Sequence, residues 1–179
     1  MSTTSFSDPV TLGTGLLIAR LIVGALMVAH GGQKLFGWLG GYGLAGTAGY
    51  FEQLGFRPGK LFVVTASVFE MVSGILIALG LFGPVGPALL LSVMIVAMGS
   101  VHWGNGLFAS TNGIEVPVLY ATGAIALALI GHGPFSLDAV LGLDHIWTPA
   151  LRVAALAVGA VVGVVNLLAR RPAAVTATA

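Results

Sequence analysis

Two ionisable residues lie deep inside apolar runs: Arg20 within Leu12–Leu35 and Glu70 within Leu61–Phe82. A charge at the middle of a bilayer costs about 2.5–3.5 kcal/mol even on lenient insertion scales, so each of these needs a partner. If the two runs are antiparallel helices, Arg20 sits a little before the middle of the first and Glu70 near the middle of the second. The sequence therefore predicts a buried Arg20–Glu70 charge pair. Such a pair has two readings. It fixes helix register without doing chemistry, or Glu70 is the proton-exchanging group of a buried site tuned by Arg20.

A second set of polar residues falls at run ends that alternating helix direction brings to one membrane face. These are His30, Gln33 and Lys34, then His102 and Trp103, then Asn105 and Glu115. His30 and Lys34 are four apart and share a helical face. Imidazole and ammonium groups offer hydrogen-bond donors at headgroup depth, and His30, Lys34, His102 and Glu115 form the candidate binding site. The plain alternative for each residue alone is anchoring at the interface, where Trp, Lys and His collect. Two histidines on different helices could also ligate a b-type haem, a reading no other residue supports. No metal site is read from the sequence. GLAGTAG lacks the Lys–Ser or Lys–Thr of a phosphate loop, and no nucleophile-elbow string accompanies the Ser, His and Asp residues.

The elements that must position these groups follow from composition. The chain of 179 residues is 57% hydrophobic and 7% charged, with a mean hydropathy of +1.03. Seven Lys plus Arg and six Asp plus Glu cannot cover a water-soluble body of this size. A net charge of +1 supplies no basic face for nucleic acid. The absence of cysteine excludes disulfides, thiolate metal sites, cysteine-held iron–sulfur clusters and dithiol redox chemistry by this chain alone. A spanning helix needs about 20 apolar residues, and five stretches approach that length: 12–35, 61–82, 85–103, 116–131 and 150–169. The fold class is an all-α, polytopic transmembrane bundle forming a single membrane domain over 1–179. The polar opening Met1–Thr11 has no Lys or Arg, so the first apolar run is expected to be retained and not cleaved as a signal.

Between the first two spans lies a long Gly-rich connection in which Leu44, Ala48, Phe51 and Leu54 recur at helical spacing. The pattern predicts a short interfacial helix over 44–54, with a packed loop as the alternative. Gly159 and Gly163 form a small-residue packing face on the last span. The tail from Arg170 is expected to lack order. Lys34, Arg57, Lys60, Arg170 and Arg171 fall on one side and Arg152 on the other, which predicts an outside amino terminus and a cytoplasmic carboxyl terminus.

Arg20, the string HGGQKLFGWLGGYGLAGTAGYFEQLGFRPG, Glu70 followed by SGILIALGLF, then His102, Glu115 and GHGPFSLD together resemble the DoxX family of small bacterial membrane proteins, from about Ile18 to Leu141. The resemblance implies a bacterial plasma-membrane protein with a four-helix core, to which this chain adds the fifth, carboxy-terminal span. It marks Arg20, Lys34, Glu70, His102, Glu115 and Asp138 as positions of interest without assigning them chemistry. The family's name derives from a thiosulfate:quinone oxidoreductase, which implies a quinone as cofactor and redox proteins as partners beside the lipid bilayer. Without a cysteine to carry sulfur, this chain would be a quinone-docking or scaffold subunit of such an assembly more readily than a self-sufficient enzyme. A small proton-coupled permease lined by Arg20 and Glu70, or a purely structural scaffold, are the competing readings, and homo-oligomerisation stays open. Asp138 and His145 fall at the opposite face from the candidate site.

Overall fold

The computed structural model describes residues 8–171. Most of the polar opening, and the expected unstructured tail beyond Arg171, lie outside the described residues. The elements in order are α1 (Pro9–Phe36), α2 (Gly43–Gln53), α3 (Gly59–Leu79), α4 (Val85–Ala97), α5 (Glu115–Ile130), the single turn α6 (Leu137–Val140) and α7 (Pro149–Leu168). Among the described residues there is no strand. Four helices among the described residues are long and apolar enough to cross a membrane: α1, α3, α7, and α4 with its extension to Asn105. The shorter α5 has 16 residues, about 24 Å at 1.5 Å each, and runs the bundle from end to end.

Local signals account for the helix limits. Asp8 caps α1 by accepting the Thr11 N–H at 3.0 Å, Pro9 occupies the first turn, and Gly37 closes the helix in the left-handed region. Thr148 and Pro149 begin α7 in the same way. Past Ala97, α4 widens into a π turn over Met98–His102 and then tightens at Trp103–Asn105. Such turns rearrange side chains that a regular helix would point elsewhere.

The bundle is organised around α3, which packs between α1 and α4, while α7 covers α4 and touches α5. Contact between α1 and α3 is as close as backbone allows. A Cβ at Gly24 would lie 2.5 Å from the Gly74 carbonyl oxygen, one at Gly74 would lie 2.5 Å from that of Gly24, and one at Gly31 would lie 2.7 Å from that of Ser67. Gly163 meets the Ser92 carbonyl in the same manner, at 2.8 Å, where α7 crosses α4. These are the small-residue contacts that hold helices together where lipid removes the hydrophobic drive. The α2 helix lies across the far end of α1 and α3. It is tied down by Glu52, whose Oε1 accepts the Gly59 N–H at 3.0 Å, and its Thr47 and Ala48 are buried. At that same end the Arg171 N–H reaches the Gly55 carbonyl at 2.8 Å.

The opposite end, where α6 lies, is closed by a buried polar cluster. The Asp138 carboxylate accepts the backbone N–H groups of Phe82 (2.8 Å) and Gly83 (2.6 Å), fastening the α6 connection to the α3–α4 turn. Fully buried Arg20 donates to the Phe135 carbonyl. The guanidinium lies against Gly80, where a side chain would collide with it and where the positive φ already favours glycine. His132, 3% exposed, places Nδ1 at 3.5 Å from Asp138 Oδ2. Burial pushes the His132 imidazole below its ordinary value, an effect that the neighbouring Asp138 opposes and Arg20 reinforces.

His132 is thus neutral in the folded protein at pH 7, whereas an unfolded histidine takes a proton near pH 6.5. As pH falls through that value the unfolded chain binds the proton first, so stability declines with acidification. Thermal unfolding in mild detergent across pH 5–8 should show this loss below about pH 6.5. His132→Gln should flatten it.

Candidate functional site

A cavity of about 590 Å³ opens at the α2 end, bounded by α1, α2, α3, α4 and α5, with Asn166 contributed by α7. Its walls are mainly apolar: Met27 from α1, Phe51 and Phe56 from α2 and the loop after it, Phe69 from α3, Val93 and Met94 from α4. Polar groups in the wall include His30, Gln33 and Lys34 on α1, Thr65 and Glu70 on α3, Ser100 and His102 in the π turn, and Tyr120 on α5. His30 is exposed and meets Tyr120 edge-on, ring centroids 6.2 Å apart. There α1 packs only sparsely on α5, in contrast to its close packing on α3.

Three of the four expected site residues, His30, Lys34 and His102, line this cavity together. Glu115 does not. Its Oε2 accepts the Ala109 N–H at 2.7 Å, holding the connection before α5 against the first turn of that helix, where a carboxylate also suits the helix dipole. Asp138 and His145 lie at the other end. His145 is exposed, whereas Asp138 is a buried structural anchor.

The expected Arg20–Glu70 pair is corrected by the structure. Both residues are buried, Arg20 at 0% and Glu70 at 3% exposure, yet Glu70 pairs with Lys34 through Oε1, and Arg20 turns to the Phe135 carbonyl. The α1–α3 register explains why. Gly24 faces Gly74 and Gly31 faces Ser67, which sets Glu70 level with residue 28 of α1, eight residues or about 12 Å from Arg20. Helical side chains also lean toward their own amino terminus. In antiparallel helices Arg20 and Glu70 therefore lean apart, one toward α6 and the other toward α2. Lys34, leaning back one turn along α1, meets Glu70 on its way.

The pair leaves one oxygen over. Glu70 Oε2 is buried with no hydrogen-bond partner in the protein. His102 is also partly committed: its Nδ1 lies 2.8 Å from the Asn112 carbonyl oxygen. A carbonyl only accepts, so Nδ1 carries the proton, and the neutral ring has Nε2 as a free acceptor. Sequence reasoning missed Tyr120 and Asn166 because a single polar residue in an apolar run gives no sign of which helix it faces. It missed His132 because the Gly-rich string holding it reads as a turn.

The fold and this site describe a polytopic helical membrane protein with a mainly apolar cavity under a Gly-rich connection at one end of its bundle. The family model for DoxX matches residues 15–103, and across this stretch the chain belongs to the DoxX family of integral membrane proteins. The matched part holds α1 to α4 with Arg20, Lys34, Glu70 and His102; α5, α6 and α7 follow it. No curated protein and no solved structure matches the chain.

If Lys34 and Glu70 form the buried pair, Lys34→Met strands the Glu70 carboxylate, at a cost of up to about 3–5 kcal/mol, which Glu70→Gln in the same chain should largely relieve. A double-mutant cycle on unfolding in detergent should give a coupling above about 1 kcal/mol for Lys34 with Glu70. For Arg20 with Glu70 it should lie within about 0.5 kcal/mol of zero. The reverse ranking would overturn this pairing.

Proposed function

We propose that the protein docks the ring of a quinone in the α2-end cavity and serves as the quinone-binding or scaffold subunit of a redox assembly in the bacterial plasma membrane. The observation that carries this reading is the cavity itself, mainly apolar yet with an ion pair between half-buried Lys34 and buried Glu70, and an imidazole, in its wall. At about 590 Å³ it falls within the roughly 300–1,000 Å³ of small-molecule sites, which combine apolar walls with a few placed polar groups. Lys34 and His30 can bond ring oxygens, and the aliphatic and aromatic walls suit the ring and the start of an isoprenoid tail. Exposed His30, between α1 and sparsely packed α5, marks a route from lipid. A bound quinone would supply two-electron redox chemistry; the residues of this chain bind it, orient it and exclude water.

Passage of an ion or solute is less well served. The polar groups of the two ends are separated by the Gly24–Gly74 contact and by buried Met27, Ile77 and Leu90. We also place the amino terminus outside and the carboxyl terminus in the cytoplasm. The basic residues Lys34, Arg57, Lys60, Arg170 and Arg171 all belong to the α2 end, and the bond from Arg171 to Gly55 ties two of their segments together.

Calorimetric titration of the purified protein with a short-tailed benzoquinone should show saturable binding. Lys34→Ala and His30→Ala should each weaken it about tenfold, the loss of one hydrogen bond to a polar partner, while exposed His145→Ala leaves it unchanged. Absence of saturable binding of both the benzoquinone and its hydroquinone by the wild-type protein would overturn the quinone reading. A periplasmic reporter fused to the carboxyl terminus should be inactive; activity would reverse the orientation.

A further inference from the structure

Hydrogen-bond polarity in the cavity points to one redox form of the ligand. Glu70 lines the wall, is 3% exposed, and has Oε2 unpartnered. An ionised carboxylate can only accept. Lys34 is bound to the other oxygen of the same carboxylate and also lines the cavity. Its ammonium has three N–H groups and only this one protein partner, so it can donate to a ligand as well. His102 adds a second acceptor, because its Nδ1–H is spent on the Asn112 carbonyl. Ser100 adds no free donor, since its hydroxyl is given to the Val96 carbonyl at 2.6 Å.

A ligand oxygen placed beside the Lys34–Glu70 pair thus meets a donor and an acceptor side by side. A phenolic hydroxyl satisfies both, accepting from Nζ and donating to Oε2. A ketone oxygen can accept from Nζ, but it sets its lone pairs against a carboxylate oxygen and leaves that buried oxygen unsatisfied, a mismatch of the kind that discriminates strongly in closed sites. In the tautomer that gives its Nδ1–H to the Asn112 carbonyl, His102 repeats the preference, its Nε2 being able to receive a hydroxyl proton in a hydrogen bond but not to donate to a ketone. We propose that the cavity selects hydroxylic ring ligands, and therefore binds the hydroquinone form in preference to the quinone. This rests on the quinone reading given above.

The test is anaerobic titration of the wild-type protein in mild detergent with three ligands of equal ring and tail: decyl-benzoquinone, its hydroquinone, and the dimethyl ether of that hydroquinone. The ether keeps the size and apolarity but has no donor. Hydroquinone should bind at least tenfold more tightly than either of the others, and Glu70→Gln, which nearly preserves shape, should narrow the gap. Saturable binding of quinone or ether as tight as that of hydroquinone would overturn the selectivity while leaving a quinone site in place. Absence of saturable binding by all three would overturn the quinone reading and the selectivity together. The wild-type comparison stands even if Glu70→Gln does not fold.

Discussion

The contact of Gly24 on α1 with Gly74 on α3 is the constraint from which most of the interior follows. Each glycine lies so near the carbonyl of the other that one added carbon would lie 2.5 Å from oxygen, so neither helix can slide or rotate without losing the fit. In a lipid environment close backbone packing of this kind supplies much of the attraction between helices. Once the register is set, every ionisable residue on the two helices has a fixed depth. Glu70 falls within reach of Lys34, and Arg20 is carried to the α6 end, where it donates to the Phe135 carbonyl. Charge pairing in this interior is a consequence of glycine packing.

The two ends of the bundle use their buried polar groups differently. At the α6 end each Asp138 carboxylate oxygen accepts one backbone N–H, and its role is to tie a connection to the α3–α4 turn. Gly80 and Gly83 leave room there for Arg20 and Trp147, so that the end is filled. At the α2 end the arrangement is looser. Pairing with Lys34 holds Glu70 in place without using up its acceptors, and the π turn that carries Ser100 and His102 interrupts the regular packing of α4. Buried polar atoms without a protein partner occur at both ends, among them Arg20 Nε and Nη1 and both His132 ring nitrogens at the α6 end, but at the α2 end the unpartnered Glu70 Oε2 belongs to a residue that lines an open cavity.

The all-α bundle was legible in the sequence because apolar runs of membrane-spanning length admit few other structures when backbone polar groups must be satisfied without water. The convergence of His30, Lys34 and His102 was legible too, since strict alternation of helix direction sorts run ends to two faces. Partner choice was not. Placing Arg20 opposite Glu70 assumed that both helices start and stop at the membrane surfaces and that side chains project straight out. The actual register comes from glycines spread along two helices, and the lean of helical side chains turns a modest offset into divergence. Glu115 was misplaced for a related reason: sequence position puts it at the correct end, but the backbone N–H of Ala109 claims its carboxylate before a ligand can. His132 is invisible as a run of letters because nothing in GHGPFSLD tells that the turn folds inward.

The matched family stretch ends at Trp103, yet the cavity is not complete there. Tyr120 from α5 forms the edge opposite His30, and Asn166 from α7 reaches the lining. The α7 helix is held on α4 by Gly159 and Gly163, which meet the carbonyls of Ala88 and Ser92, so the position of Asn166 is tied to the same helix that carries the π turn. With its Nδ2 donating to the Val162 carbonyl, Asn166 has its Oδ1 left as an acceptor. The later helices therefore close the cavity laterally, and what they add on the Asn166 side is accepting capacity, in keeping with the carboxylate and imidazole supplied by the earlier ones. At the Lys34–Glu70 pair, where the strong donor is already shared with a carboxylate that keeps one oxygen free, the cavity is matched to a ligand that brings its own proton.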